Sequence, residues 1–119
     1  MKKIIILGVL LSPVLVMAKG LYYLSDDGDH FKTVISKGRA VMTTENSKTY
    51  MINATTIKRG KLQLVLTRDC KAKSNLLGNG TWHWANGGVF VQLDYEGYER
   101  EIIFPRQELS ISKNDECWG

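Results

Sequence analysis

Residues 78–93, Gly-Asn-Gly-Thr-Trp-His-Trp-Ala-Asn-Gly-Gly-Val-Phe-Val-Gln-Leu, constrain the fold more than any other part of this chain. They read as a β-hairpin. Asn86-Gly87 suits a two-residue type I′ turn, in which both central residues need φ > 0. That turn fixes a register: Trp84 opposes Val89, His83 opposes Phe90, and Trp82 opposes Val91. Side chains alternate across a strand, so Trp82, Trp84, Val89, Val91 and Leu93 share one face while His83 and Phe90 share the other. Two tryptophans facing β-branched residues suit a core wall. They would serve equally as an aromatic platform for a sugar or a protein partner.

The rest of the chain repeats the pattern in smaller pieces. Apolar-rich runs fall at 21–24, 31–35, 40–44, 49–53, 61–67, 99–104 and 108–112, separated by clusters of Ser, Asp, Asn, Gly and Lys. Within 61–67, Leu62, Leu64 and Leu66 point one way and Gln63, Val65 and Thr67 the other. Lys58-Arg59-Gly60-Lys61 and Tyr95-Glu96-Gly97-Tyr98 read as tight turns. Residues 71–80 form the longest stretch without strand character, with room for a short helical turn at 71–77. No segment of useful length has helical periodicity. The chain is therefore predicted to be all-β, with about eight short antiparallel strands paired mostly with sequence neighbours. A small single-domain antiparallel barrel or a two-sheet sandwich would bury the alternating faces and leave few open edges.

The ends say where such a domain would work. Met1-Lys2-Lys3 is a short basic start, residues 4–16 are mostly apolar, and Val16-Met17-Ala18 offers small-residue cleavage geometry. This is the layout of a cleaved secretory signal peptide over residues 1–18, leaving 19–119 as a single β-rich domain. The apolar run is short of the roughly 20 residues that span a bilayer. Its brevity and the Lys-Lys start suggest a bacterial exported protein, periplasmic or secreted. Removing Lys2 and Lys3 lowers the formal net charge from +4 to +2, only mildly basic. Such a charge gives no motive for nucleic acid binding. Cys70 and Cys117 both lie in the exported part, and an even pair in an oxidising compartment predicts a disulfide.

Motifs for chemistry are sparse. There is no Gly-x-Ser-x-Gly elbow, His-Glu-x-x-His, P-loop or Rossmann glycine pattern, and nothing calls for a cofactor. Asp26, Asp27, Asp29 and His30 crowd the first turn, but their spacing does not match an EF-hand loop, and Asp and Gly are what turns use for their own geometry. No metal is expected. Lys58, Arg59 and Lys61, with Lys71 and Lys73, form a candidate basic patch for an anionic partner, or simply charged hairpin turns. Glu99, Glu101 and Glu108 sit in or beside strands, where a solvated face explains them. Asn53-Ala54-Thr55 and Asn79-Gly80-Thr81 match the glycosylation sequon, which is accidental in a bacterial protein.

The expectation from sequence is thus a small exported, non-catalytic binding protein that recognises a protein or glycan of the cell envelope. Its candidate contact residues are Trp82, His83, Trp84, Phe90, Tyr95 and Tyr98, aromatic and imidazole groups gathered in one hairpin and the turn after it. An alternative is an exported hydrolase of envelope polymers using His83 or His30 with a carboxylate. Another is an inhibitor of a hydrolase. The architecture is similar to that of small periplasmic one-disulfide β-proteins that inhibit lysozyme. A slightly basic chain is poorly matched to a cationic enzyme, however. N-terminal sequencing of the exported protein should begin at Lys19, and its mass should rise on reduction. Retained residues 1–18, or free thiols at both cysteines, contradict this reading.

Overall fold

The alternating runs become ten strands in the computed structural model, which describes residues 22–85, 87–107, 109, 111 and 117. They are β1 (Tyr22–Leu24), β2 (His30–Ser36), β3 (Arg39–Thr44), β4 (Lys48–Met51), β5 (Ile57–Gly60), β6 (Gln63–Thr67), β7 (Lys71–Ser74), β8 (Asn79–Ala85), β9 (Gly88–Tyr95) and β10 (Tyr98–Phe104). Eight of them form one antiparallel sheet in the order β1-β2-β3-β6-β7-β8-β9-β10, and β4 pairs with β5 in a separate two-stranded sheet. The large sheet is a meander with one excursion. After β3 the chain leaves, makes the β4–β5 hairpin, and returns as β6 beside β3. Thr44 clasps the neck of that excursion. Its N–H donates to the Leu62 carbonyl at 2.9 Å, and its hydroxyl accepts the Leu62 N–H at 2.9 Å while donating to the Asn46 carbonyl at 3.0 Å.

The large sheet curls until its first and last strands meet. The Asp26 N–H donates to the Ile103 carbonyl at 2.8 Å, and Asp26 Oδ1 accepts the Ile103 N–H at 3.4 Å. The Gln107 side-chain amide does the work of a further strand residue: Oε1 accepts the Leu24 N–H at 2.8 Å and Nε2 donates to the Leu24 carbonyl at 2.7 Å. Inside this seam Phe104 meets Tyr23 and Phe31 edge-to-face, with ring centroids 6.0 and 5.2 Å apart. Of the barrel and sandwich alternatives, the curled sheet has the barrel-like form. It satisfies edge groups that would otherwise invite association.

One face of every strand in the large sheet supplies the core. Phe31, Ala40, Met42, Leu64, Leu66, Trp82, Val91 and Phe104 are each no more than 1% exposed. The β8–β9 register is the predicted one: Trp82 faces Val91, His83 faces Phe90, and Trp84 faces Val89. Gly87 has φ +78°, as the second central residue of a type I′ turn requires; Asn86 lies outside the described residues. Trp82 is the largest buried side chain, and its indole N–H donates to the Thr67 carbonyl at 2.7 Å. Burial of a group this size contributes on the order of 5 kcal/mol. Cys70 is bonded to Cys117 with Cα atoms 5.4 Å apart, across a sequence separation of 47. Closing such a loop restricts the unfolded chain by about 4 kcal/mol in the chain-entropy model. Leu109, Ile111 and Cys117 are buried, so the segment after β10 adds to the core.

Three expectations need correction. Residues 71–74 are a strand, not an irregular or helical stretch: β7 pairs with β6 on one side and β8 on the other. Only Ala72 of its four residues faces the core, too little to register as alternation. Residues 57–60 are β5 rather than a tight turn, held by pairing Lys48 to Met51 with Gly60 to Ile57. In the last strand candidate, 108–112, Leu109 and Ile111 are buried but belong to no strand, and the other three residues lie outside the described ones. The seam gives a direct test. Gln107→Ala should accelerate hydrogen exchange at the Leu24 amide and cost about 1–2 kcal/mol in urea denaturation. Unchanged protection at Leu24 contradicts a seam closed by Gln107.

Candidate functional site

At one end of the curled sheet the β4–β5 hairpin meets the turn between β9 and β10. That turn is rigidly made. Tyr95 and Tyr98 are register partners, Glu96 and Gly97 both have positive φ (51° and 92°), and Asp94 Oδ1 accepts the Gly97 N–H at 2.7 Å. Cationic side chains tie hairpin and sheet together in both directions. From the hairpin, Lys58 Nζ lies 4.0 Å from the centroid of the Tyr95 ring. From the sheet, the Arg100 guanidinium lies 5.5 Å from the Tyr50 centroid and donates to the Met51 carbonyl at 2.9 Å. Each cation–π contact is worth about 0.5–1 kcal/mol where exposed. The ion pair of Lys48 with Asp29, at 2.7 Å, links the hairpin to the turn before β2.

Tyr50 is the hairpin's inward anchor, 7% exposed, and Lys48 Nζ approaches its ring to 5.8 Å. Its phenol oxygen is buried without a hydrogen-bond partner among the described residues. Burial pushes the Tyr50 pKa above its ordinary value, against the pull of Lys48 and Arg100. The hydrogen bond to Asp29 raises that of Lys48. Beside the anchor, Ile52, Leu77, Tyr95, Tyr98, Glu99 and Arg100 line a cavity of about 20 Å³, room for one water.

Over this framework the hairpin leaves apolar groups in solvent. Met51 and Ile57, which face each other across the hairpin, are 64% and 57% exposed, and Tyr98 is 51% exposed. Tyr95 is half-buried beneath Lys58. Apolar and aromatic groups thus sit among Lys58, Arg100 and Glu99, a composition found where proteins meet partners.

The six contact residues named from sequence fall in three places. Trp82 is core, and Trp84 packs on it edge-to-face, 5.7 Å between centroids, half-buried near the end of β8. Of the wall and the platform, Trp82 forms the wall, 1% exposed. His83 and Phe90 stack on the outer face, 5.4 Å apart and 19° from parallel. Only Tyr95 and Tyr98 belong to the end described above. Among the described residues neither His83 nor His30 has a hydrogen bond or ion pair to a carboxylate. In the acidic first turn, Asp26 closes the seam and Asp29 holds Lys48. The sequence reading missed Met51, Ile57 and Arg100. The available signal was an apolar residue, Met51 and Ile57, on each side of the 52–56 loop where alternation calls for polar ones.

Fold and site together define a disulfide-stapled, curled β-sheet with a hairpin mounted on one end. No family model, curated protein or solved structure matches this chain.

Alkaline titration probes the anchor. Tyr50 and Lys48 both have raised values in the folded protein, so each favours folding fully below about pH 10 and loses that contribution as pH rises through its folded value. Stability measured by urea denaturation should fall above about pH 10. Tyr50→Phe should show a smaller fall and, at neutral pH, equal or greater stability, since an unpaired buried hydroxyl costs about 1–3 kcal/mol. A loss above about 2 kcal/mol at pH 7 contradicts the unpaired phenol.

Proposed function

We propose that this protein is a small exported, non-catalytic binding protein of the cell envelope, acting in the periplasm or outside the cell. Its contact surface is the end formed by the β4–β5 hairpin and the Tyr95–Tyr98 turn, and its partner there is a protein. One observation carries the reading: Met51, Ile57 and Tyr98 are all exposed on a framework that cation–π contacts and the hydrogen bond from the Arg100 guanidinium to the Met51 carbonyl hold in place. Preorganised apolar side chains cost little to order on binding. The Cys70–Cys117 bridge fits an oxidising compartment. A hydrolase is the weaker reading: among the described residues neither imidazole has the carboxylate partner that acid–base work requires.

The test is a pull-down from envelope extract with disulfide-intact protein, followed by affinity measurement on what is captured. Wild type and Phe90→Ala should retain one partner. Tyr98→Ala and the pair Met51→Ser/Ile57→Ser should bind it at least tenfold more weakly with unchanged melting temperatures. Equal binding by these variants, loss through Phe90→Ala alone, or no specific capture overturns the proposal.

A further inference from the structure

A second surface has no part in that reading. Successive turns of a meander alternate between the two ends of a sheet, so the β2–β3 and β6–β7 turns stand opposite the Tyr95–Tyr98 turn. There Lys37, Arg39, Arg68, Lys71 and Lys73 line a groove of about 600 Å³ over the outer face of β3, β6 and β7, with Asp69 as its single carboxylate. Lys58, Arg59 and Lys61, grouped with Lys71 and Lys73 in the sequence, take no part in it. Asp69 is already engaged. It accepts a hydrogen bond from the Thr67 hydroxyl, which holds its carboxyl below the usual range. Among the described residues no groove cation has a carboxylate within ion-pair distance; the ion pair present is Lys48–Asp29. Five like charges gathered in a concavity repel one another and concentrate a positive field there.

The charges are placed by the fold. Lys71 and Lys73 point outward because Ala72 between them faces the core. Their spacing along the strand is about 7 Å. Arg39 pairs with Thr67, whose hydroxyl in turn lies 3.4 Å from the Lys71 carbonyl oxygen. Arg39 and Lys71 therefore stand two strand spacings, about 10 Å, apart. Arg68 is seated on Gly38: a Cβ there would fall 2.4 Å from Arg68 Cδ, and the Arg68 N–H donates to the Gly38 carbonyl at 3.1 Å. The disulfide at Cys70 pins the same turn.

We propose that this groove binds an anionic glycan, a saccharide chain carrying phosphate or carboxylate groups several ångströms apart. Guanidinium and ammonium groups suit such anions, the first as a bidentate fork and the second as a point charge. The volume is that of a small-ligand site. An acidic peptide fits less well. β3, β6 and β7 are each paired on both sides, so no edge accepts an added strand, and Val65 is the sole hydrophobic side chain in the lining. An anionic bilayer fits less well too, since the groove is concave and its lining has no aromatic or long aliphatic group to insert.

The experiment is an NMR titration of the disulfide-intact protein with a phosphorylated mannan oligosaccharide. Its neutral counterpart, a polyglutamate peptide and phosphatidylglycerol vesicles serve as the other arms. The phosphorylated glycan should shift amides of 37–39 and 65–73 with saturable binding that weakens as salt is raised. Lys71→Ser/Lys73→Ser and Arg68→Gln should each weaken it at least tenfold while leaving the remaining spectrum folded. The proposal fails if those amides do not move, if the neutral glycan binds equally well, or if both groove variants bind like wild type. It fails also if the peptide or the vesicles occupy the groove and the glycan does not.

Discussion

The structure depends on the knot around Cys70. The Thr67 carbonyl accepts the indole N–H of Trp82 and the N–H of Cys70, using both its lone pairs. The Cys70 carbonyl accepts the Trp82 N–H, the Cys70 sulfur holds Cys117, and the Cys117 carbonyl accepts the Trp84 N–H. One turn thereby fixes the largest core side chain, the strand that carries it and the distal part of the chain. For a domain of about 100 residues, whose whole stability is about 5–15 kcal/mol, a tryptophan and a long-loop disulfide at one place carry much of the balance.

The rest of the design follows from that knot and from the seam opposite it. Asp26 and Gln107 close the sheet where β1 and β10 meet. What can vary without disturbing the wall is what its ends carry. One end bears a hairpin mounted by Lys58 and Arg100, with apolar groups facing solvent. Toward the other, the turns that the disulfide stiffens hold cations at fixed spacings. Both are the surfaces proposed for recognition, and each is built on paired strands and their turns.

The register of β8 and β9 was legible because Asn86-Gly87 and strict alternation both specify it locally. The disulfide was legible because only two cysteines exist. β7 was not, since Lys-Ala-Lys-Ser offers a single small core residue and its pairing is decided by neighbours. The choice between barrel and sandwich was hidden for a different reason: Asp26 and Gln107 act on residues 77 and 83 positions away. Trp82 and Trp84 look equivalent by alternation and differ only because Trp84 lies nearer the strand end. Tyr95 and Tyr98 stood out as aromatics flanking a turn. Met51, Ile57 and Arg100 join them through the tertiary mounting of a hairpin that buries Tyr50 alone, and no local pattern encodes that.

The central claim is that position on this frame, not mere apolar exposure, makes the hairpin end a recognition surface. Site-specific photo-crosslinking in cells tests it most directly. A photoreactive residue at Ile57 or Tyr98 is compared with one at Val34, which is as exposed as Ile57 but lies on the outer wall of β2. The account predicts one recurrent protein adduct from positions 57 and 98 and none from 34. Equal adducts from all three positions, or an adduct from 34 alone, would contradict it.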